Sequence, residues 1–233
     1  MENSTPAPTP VKPVQPPPLN RVRVTFTKSG SLIYTGALDM QKIWERVLRR
    51  AKLNIAYTQG FNPGPRINLA SPLPLGVSSE QELADFWFVD LPDLNDFCDR
   101  VNRAAPPGMR ALTAEVVPLS TPALQTRVDA ASYCTGSMPG ELFNLAKLAV
   151  DSLLSAETLP RERRGKPYDL RPLILSLVAV PEGDGGHIEM TLVSREGATG
   201  RADEVLSALG LDASAVTLIR TRIILKPDSP VIK

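Results

Sequence analysis

Histidine and cysteine are nearly absent from this sequence. His187 stands alone, and Cys98 and Cys134 are the only thiols in 233 residues. Two cysteines so far apart, outside metal-ligand spacing, form neither a disulfide framework nor a zinc or iron–sulfur site. The lone histidine follows a glycine-rich turn, where it reads as a solvated turn residue, so no metal is expected. Charge of one sign is also missing. Twenty-six lysines and arginines face 25 aspartates and glutamates, which excludes bulk attraction to nucleic acid or membrane and leaves only local clusters. No apolar run approaches the roughly 20 residues that span a bilayer, and the N-terminus lacks the basic and apolar regions of a signal peptide. The expectation is a soluble, cytoplasmic protein without membrane contact. Nucleophile elbows, P-loops and dinucleotide fingerprints are absent too. The Gly183–Gly186 cluster has neither the lysine nor the following helix of a phosphate cradle and reads as a turn. Aromatics amount to 5% of the chain, and the central-strand aromatic signature of an RNA-recognition domain is not read in it.

Proline, by contrast, is plentiful. Residues 1–20 hold Pro6, Pro8, Pro10, Pro13, Pro16, Pro17 and Pro18 and read as a disordered, polyproline-like tail. A second concentration runs from Tyr57 through Gln59-Gly60-Phe61-Asn62-Pro63-Gly64-Pro65-Arg66 into Ala70-Ser71-Pro72-Leu73-Pro74-Leu75-Gly76. Proline fixes φ and glycine permits positive φ, so this is a loop of defined shape, followed by the forked cation Arg66. It reads equally well as a ligand-holding loop and as a structural crossover.

The remainder alternates strands and helices. Arg21–Thr27 alternates strictly, as a half-buried strand does. A helix over about Leu38 to Lys52 places Met40, Ile43, Trp44, Val47, Leu48 and Ala51 on one face. A short strand within Ile67–Leu73, a strand over Glu82–Leu91, a helix over Asp93–Ala104 and a strand over Arg110–Leu119 complete the first half. The second half repeats this order with a strand at Ala131–Gly136, a helix at Glu141–Ala156, and strands at Leu170–Val180 and Ile188–Ser194. A helix at Arg201–Leu209 and a strand at Ala215–Lys226 follow. Leu170–Val180 is apolar on both faces, the pattern of a central strand. The expected fold is α+β: two tandem ferredoxin-like (βαββαβ) halves, residues 21–120 and 121–233, each an antiparallel sheet with helices on one face.

Basic side chains recur in local groups. Lys42, Arg46, Arg49 and Arg50 share a helix face. Arg161-Glu162-Arg163-Arg164-Gly165-Lys166 leads into Tyr168-Asp169-Leu170-Arg171. Arg21 with Arg23, and Arg220 with Arg222, point the same way along their strands. Arginine forks suit phosphate oxygens, and a tyrosine beside them can stack on an unpaired base. The plainer reading of each group is a solvated face or a charged sheet edge. Candidate ligand-binding residues are therefore Gln59, Gly60, Phe61, Asn62, Arg66, Arg49, Arg50, Arg163, Arg164, Lys166, Tyr168 and Arg171. Acid–base work, if there were any, would fall to Asp39, Tyr57 or Asp169. Asp39 reads more simply as an early-helix carboxylate, and Asp169 as a partner of Arg171 or a neighbouring cation.

At several of these residues the chain resembles the radical-SAM-linked (radical-SAM-associated) family, a domain of unknown function. The resemblance lies in Arg23-Val24-Thr25-Phe26, Leu38-Asp39-Met40, Trp44-Glu45-Arg46, Leu48-Arg49-Arg50, Gln59-Gly60-Phe61-Asn62-Pro63, Ala70–Val77 and Asp169-Leu170-Arg171-Pro172-Leu173. It implies a chain that works beside a radical SAM enzyme, which would carry S-adenosylmethionine and an iron–sulfur cluster; the cluster's three-cysteine motif is missing here. Family members often carry histidines where this chain has Ala37 and Gly64, so the resemblance weakens a catalytic reading. The resemblance thus implies a non-catalytic accessory or substrate-recognition module without a cofactor of its own, with RNA as the candidate substrate by analogy of fold. An independent RNA-processing or RNA-modifying enzyme, and a structural scaffold without ligand, are the alternatives.

Overall fold

The computed structural model describes residues 20–163 and 165–227. The proline-rich tail up to residue 19, and Arg164, lie outside the described residues. The first half contains β1 (Asn20–Lys28), a 3-10 turn (Gly30–Tyr34), α1 (Ala37–Arg50), β2 (Ile67–Leu69), β3 (Ser78–Phe88), α2 (Leu94–Ala104) and β4 (Met109–Val117). The second contains α3 (Leu124–Arg127), β5 (Val128–Thr135), α4 (Gly140–Ser155), β6 (Pro160–Arg163), β7 (Lys166–Asp169), β8 (Ile174–Glu182), β9 (Gly185–Arg195), β10 (Ala198–Thr199), α5 (Ala202–Ala208) and β11 (Leu218–Leu225). This is a mixed α+β architecture.

Nine strands form one sheet in the order β10-β9-β5-β11-β3-β1-β4, with β2 also on β3 and β8 also on β9. Within the first half the lateral order is β4-β1-β3-β2, and within the second β11-β5-β9-β8, antiparallel throughout. The parallel pairing of β11 with β3, Ile219 opposite Ser78 and Arg220 opposite Ser79, joins them.

The strict alternation of β1 explains how one half is built. Val22, Val24 and Phe26 turn to the helical side and are buried. There Trp44 of α1 meets Phe26 edge-on at 5.1 Å and Phe86 at 4.7 Å. The Asp39 carboxylate accepts from the Gly36 amide at the start of α1, while Arg49 and Arg50 complement the dipole in its last turn. Two main cores result, one per half. A small third core, with Ala70, Leu124, Val128 and Ile223, packs at the junction.

Several expectations change. The segment expected to be a central strand at Leu170–Val180 begins at Ile174 as β8, which pairs only with β9 and lies at an edge. Its apolar outer face, with Leu175 and Val178, is exposed; pattern alone cannot separate two-sided burial from an uncovered edge. β3 starts at Ser78, earlier than expected, because the polar run Ser78-Ser79-Glu80-Gln81 finds ladder partners in β11 and β1. Arg161–Arg163 and Lys166, expected to lead straight into a strand, fold with Tyr168 into the two-stranded β6–β7 hairpin. Among the described residues, no helix is long and apolar enough to cross a membrane.

Candidate functional site

Charge that the sequence places on strand faces goes inside. Arg21 and Arg23 of β1 both converge on Asp85 of β3, which is fully buried. Arg21 Nε donates to Asp85 Oδ2 at 2.9 Å and Arg23 Nε to Asp85 Oδ1 at 2.8 Å. Arg21 also donates to the carbonyls of Thr121 and Pro122, fastening the connection between the halves. These arginines are thus neither solvated nor presented to a ligand.

A second buried pair spans the junction. Arg220 Nε donates to Glu82 Oε1 at 2.7 Å, and Nη2 bonds Glu82 Oε2. The same guanidinium donates to the carbonyls of Ser71 and Pro72, and Ser79 Oγ donates to the Arg220 carbonyl. One arginine from the second half therefore anchors the Ala70–Val77 loop of the first. The loop's far end is tied where the Gly76 amide donates to the Ile33 carbonyl, which brings Tyr34 alongside. Lys28 lies beneath, its ammonium donating to the Thr35 carbonyl. Burial lowers the Lys28 pKa from its ordinary 10.5, opposed by Glu82 and assisted by Arg220. A lowered lysine pKa means that the unfolded chain binds more protons. Stability should therefore rise with pH from the folded-state pKa up to 10.5. Lys28→Met should flatten that rise, and urea midpoints measured across the interval check it.

The anchored loop forms one wall of a groove of about 1420 Å³. Tyr34, Pro72, Leu73 and Leu75 make this wall uncharged and largely apolar. The rest of the lining comes from the second half and, among the described residues, holds all the charged ones: Arg163, Arg195, Glu196, Arg201 and Asp203. Arg201 is engaged by Asp203 at 2.9 Å, and Arg195 lies 3.5 Å from Asp129. The Arg163 guanidinium makes no hydrogen bond or salt bridge among the described residues. In the β6–β7 register Arg163 opposes Lys166 and Arg161 opposes Tyr168, so all four project from one hairpin face. Glu204 sits beside that face. Burial raises its carboxyl pKa, while Arg163 and Arg161 pull it down.

The other candidates are placed apart from the groove. Arg171 donates from Nε and Nη2 to the Leu154 carbonyl, capping the C-terminal end of α4. Asp169 accepts the amides of Leu159 and Arg171 at 2.7 and 3.0 Å, so its partner is the Arg171 backbone rather than the guanidinium. Arg49 and Arg50 are exposed at the end of α1. Tyr57 pairs with Pro65 across the neck of the Gln59–Arg66 loop, and Gly60, Phe61 and Asn62 lie exposed at its tip. Arg66 stacks on Trp87, 4.9 Å from the ring centroid. His187 lies in β9, its Nε2 3.4 Å from Glu189 Oε1. Arg195, Arg201 and Tyr34 join the groove without belonging to any basic or proline-rich run of the sequence. The available signal was Gly197-Ala198-Thr199-Gly200, a turn flanked by two arginines.

A family model described as an uncharacterized protein conserved in bacteria (DUF2344) matches residues 21–202. No curated protein matches the chain. Among solved structures, an unknown protein from Galdieria sulphuraria is 10% identical with a TM-score of 0.26, covering 89% of this chain and 99% of its own. A structure described provisionally as a glycine cleavage system transcriptional repressor is 10% identical with a TM-score of 0.25, covering 89% and 98%. At such TM-scores these likenesses carry no argument.

Proposed function

The chain belongs to this family of bacterial proteins, and from that premise we propose that it is a non-catalytic accessory module of a separate radical SAM enzyme, recognising or presenting an RNA substrate in the cytoplasm. The partner would supply S-adenosylmethionine and the iron–sulfur cluster. Each half is read as ferredoxin-like; the lateral orders β4-β1-β3-β2 and β11-β5-β9-β8, with helical connections between strands, support that reading.

The observation that carries the proposal is the division of the groove between an apolar wall and an arginine-bearing one. A single strand of RNA has the same two-sidedness, with base faces that stack on aromatic and apolar surface and phosphates that take arginine forks. Tyr34 is the stacking candidate and Arg163, Arg195 and Arg201 are the phosphate candidates. Lys166 and Tyr168 extend the arginine side along the hairpin. The engagement of Asp39 in a helix cap and of Asp169 in backbone bonds supports binding rather than acid–base chemistry.

The test is affinity for a fluorescent single-stranded RNA, read by anisotropy at several salt concentrations. The variant Arg163→Ala/Arg195→Ala/Arg201→Ala should bind more weakly. The slope of log affinity against log salt should become shallower by about 2, from roughly 0.7 per single-strand phosphate contact. Unchanged affinity and slope in a folded triple variant would remove the groove as the RNA site. Capture of the tagged protein from its native cytoplasm, with and without RNase, tests the enzyme partner: a radical SAM protein should survive the treatment.

A further inference from the structure

We infer that the loop between Tyr57 and Pro65 is a docking plug, anchored by Phe61, that enters an uncharged apolar pocket on the module's partner protein. This rests on the accessory-module reading for the existence of that partner.

Phe61 is 103% exposed: among the described residues nothing covers its ring. A flexible tip could fold such a ring back onto the surface, but this tip is closed. Tyr57 bridges Pro65, the Thr58 amide donates to the Gly64 carbonyl at 2.8 Å, and the Gly64 amide donates to Thr58 Oγ1 at 3.0 Å. Gly60 has φ +137°, a conformation cheap only for glycine, and Pro63 and Pro65 restrict the return limb. The backbone that carries the ring is therefore shaped before any partner arrives, so part of the ordering cost of association is met in the free protein. A rigidly presented aromatic is the kind of side chain that dominates binding energy when a pocket receives it.

The chemistry of the tip selects among partners. Thr58 through Pro65 contains no charged residue. A base stacking on Phe61 would bring its phosphate with it and call for a cation, but Arg66, adjacent in sequence, has its guanidinium on Trp87. A membrane surface would require a larger apolar face or basic companions than one phenylalanine offers. A pocket in a protein needs neither. None of Tyr57–Arg66 lines the groove, so plug and groove can be occupied together.

Because nothing among the described residues covers Phe61, Phe61→Ser should leave the melting temperature unchanged. The full chain carrying Phe61→benzoylphenylalanine is irradiated in its native cytoplasm, and the adduct is identified and mapped by mass spectrometry. The identified protein is then purified and titrated with wild type, with Phe61→Ser and with the groove triple variant. We expect an adduct through apolar residues of a different protein, binding at least about tenfold weaker for Phe61→Ser, and unaltered binding for the groove variant. An adduct to RNA, an adduct only to another copy of this chain, no adduct, or affinity of Phe61→Ser within about twofold of wild type overturns the inference. Failure of the radical SAM reading looks different: the adduct forms and depends on Phe61, but the identified protein lacks the three-cysteine cluster motif.

Discussion

Replacing Asp85 with alanine should leave the protein on the verge of unfolding. The carboxylate is fully buried and accepts hydrogen bonds from both Arg21 and Arg23, themselves 2% and 7% exposed. Its removal strands two cations in the interior. Breaking one buried pair from one side costs about 3–5 kcal/mol, and a whole domain is stable by only about 5–15 kcal/mol. Urea unfolding followed by circular dichroism should therefore show a collapse of the midpoint. The reason can be separated from simple loss of packing. Arg21→Met/Arg23→Met/Asp85→Leu removes the charges together and should recover most of the loss, since well-packed apolar replacements of buried ion pairs are often neutral or better. A loss below about 1 kcal/mol for Asp85→Ala, within the range of exposed ion pairs, would show that these arginines reach water.

Arg220→Met should come next in size and carry a functional consequence. It leaves the Glu82 carboxylate buried without its guanidinium and frees the carbonyls of Ser71 and Pro72. A destabilisation of about 3–5 kcal/mol is expected, and adding Glu82→Leu should restore most of it. The restored double variant is the informative one. Stable again but without the tether on the Ser71–Pro72 wall, it should still bind RNA more weakly than wild type in the anisotropy measurement. Full RNA affinity in that variant would mean that the wall needs no anchor from the second half.

Much of the local structure was legible in the chain. The alternation of Arg21–Thr27 marked both β1 and which of its side chains face the helices. The spacing of Met40, Trp44, Val47 and Leu48 marked α1, and the prolines and glycines of 57–76 marked a shaped loop. These are properties of neighbouring residues and backbone dihedrals, so they survive without knowledge of the fold. β8 was harder, since Ile174–Val180 carries the same apolar pattern whether a strand is covered on both sides or sits at an edge.

The candidate site was legible only in pieces. Arg163 was visible within a basic run and Ser71–Leu75 within a proline-rich loop, but nothing in sequence brings them to the lining of one groove. Arg21, Arg23 and Arg220 looked like surface cations because their partners, Asp85 and Glu82, lie 64, 62 and 138 residues away. The sequence alone determined most of the main helices and strands, the stiffness of the loops and the lack of any strong charge excess, through short-range sterics and composition. The tertiary structure decided which cations are buried and which face a groove, because burial and pairing depend on which strands become neighbours, here on the parallel seam of β11 with β3.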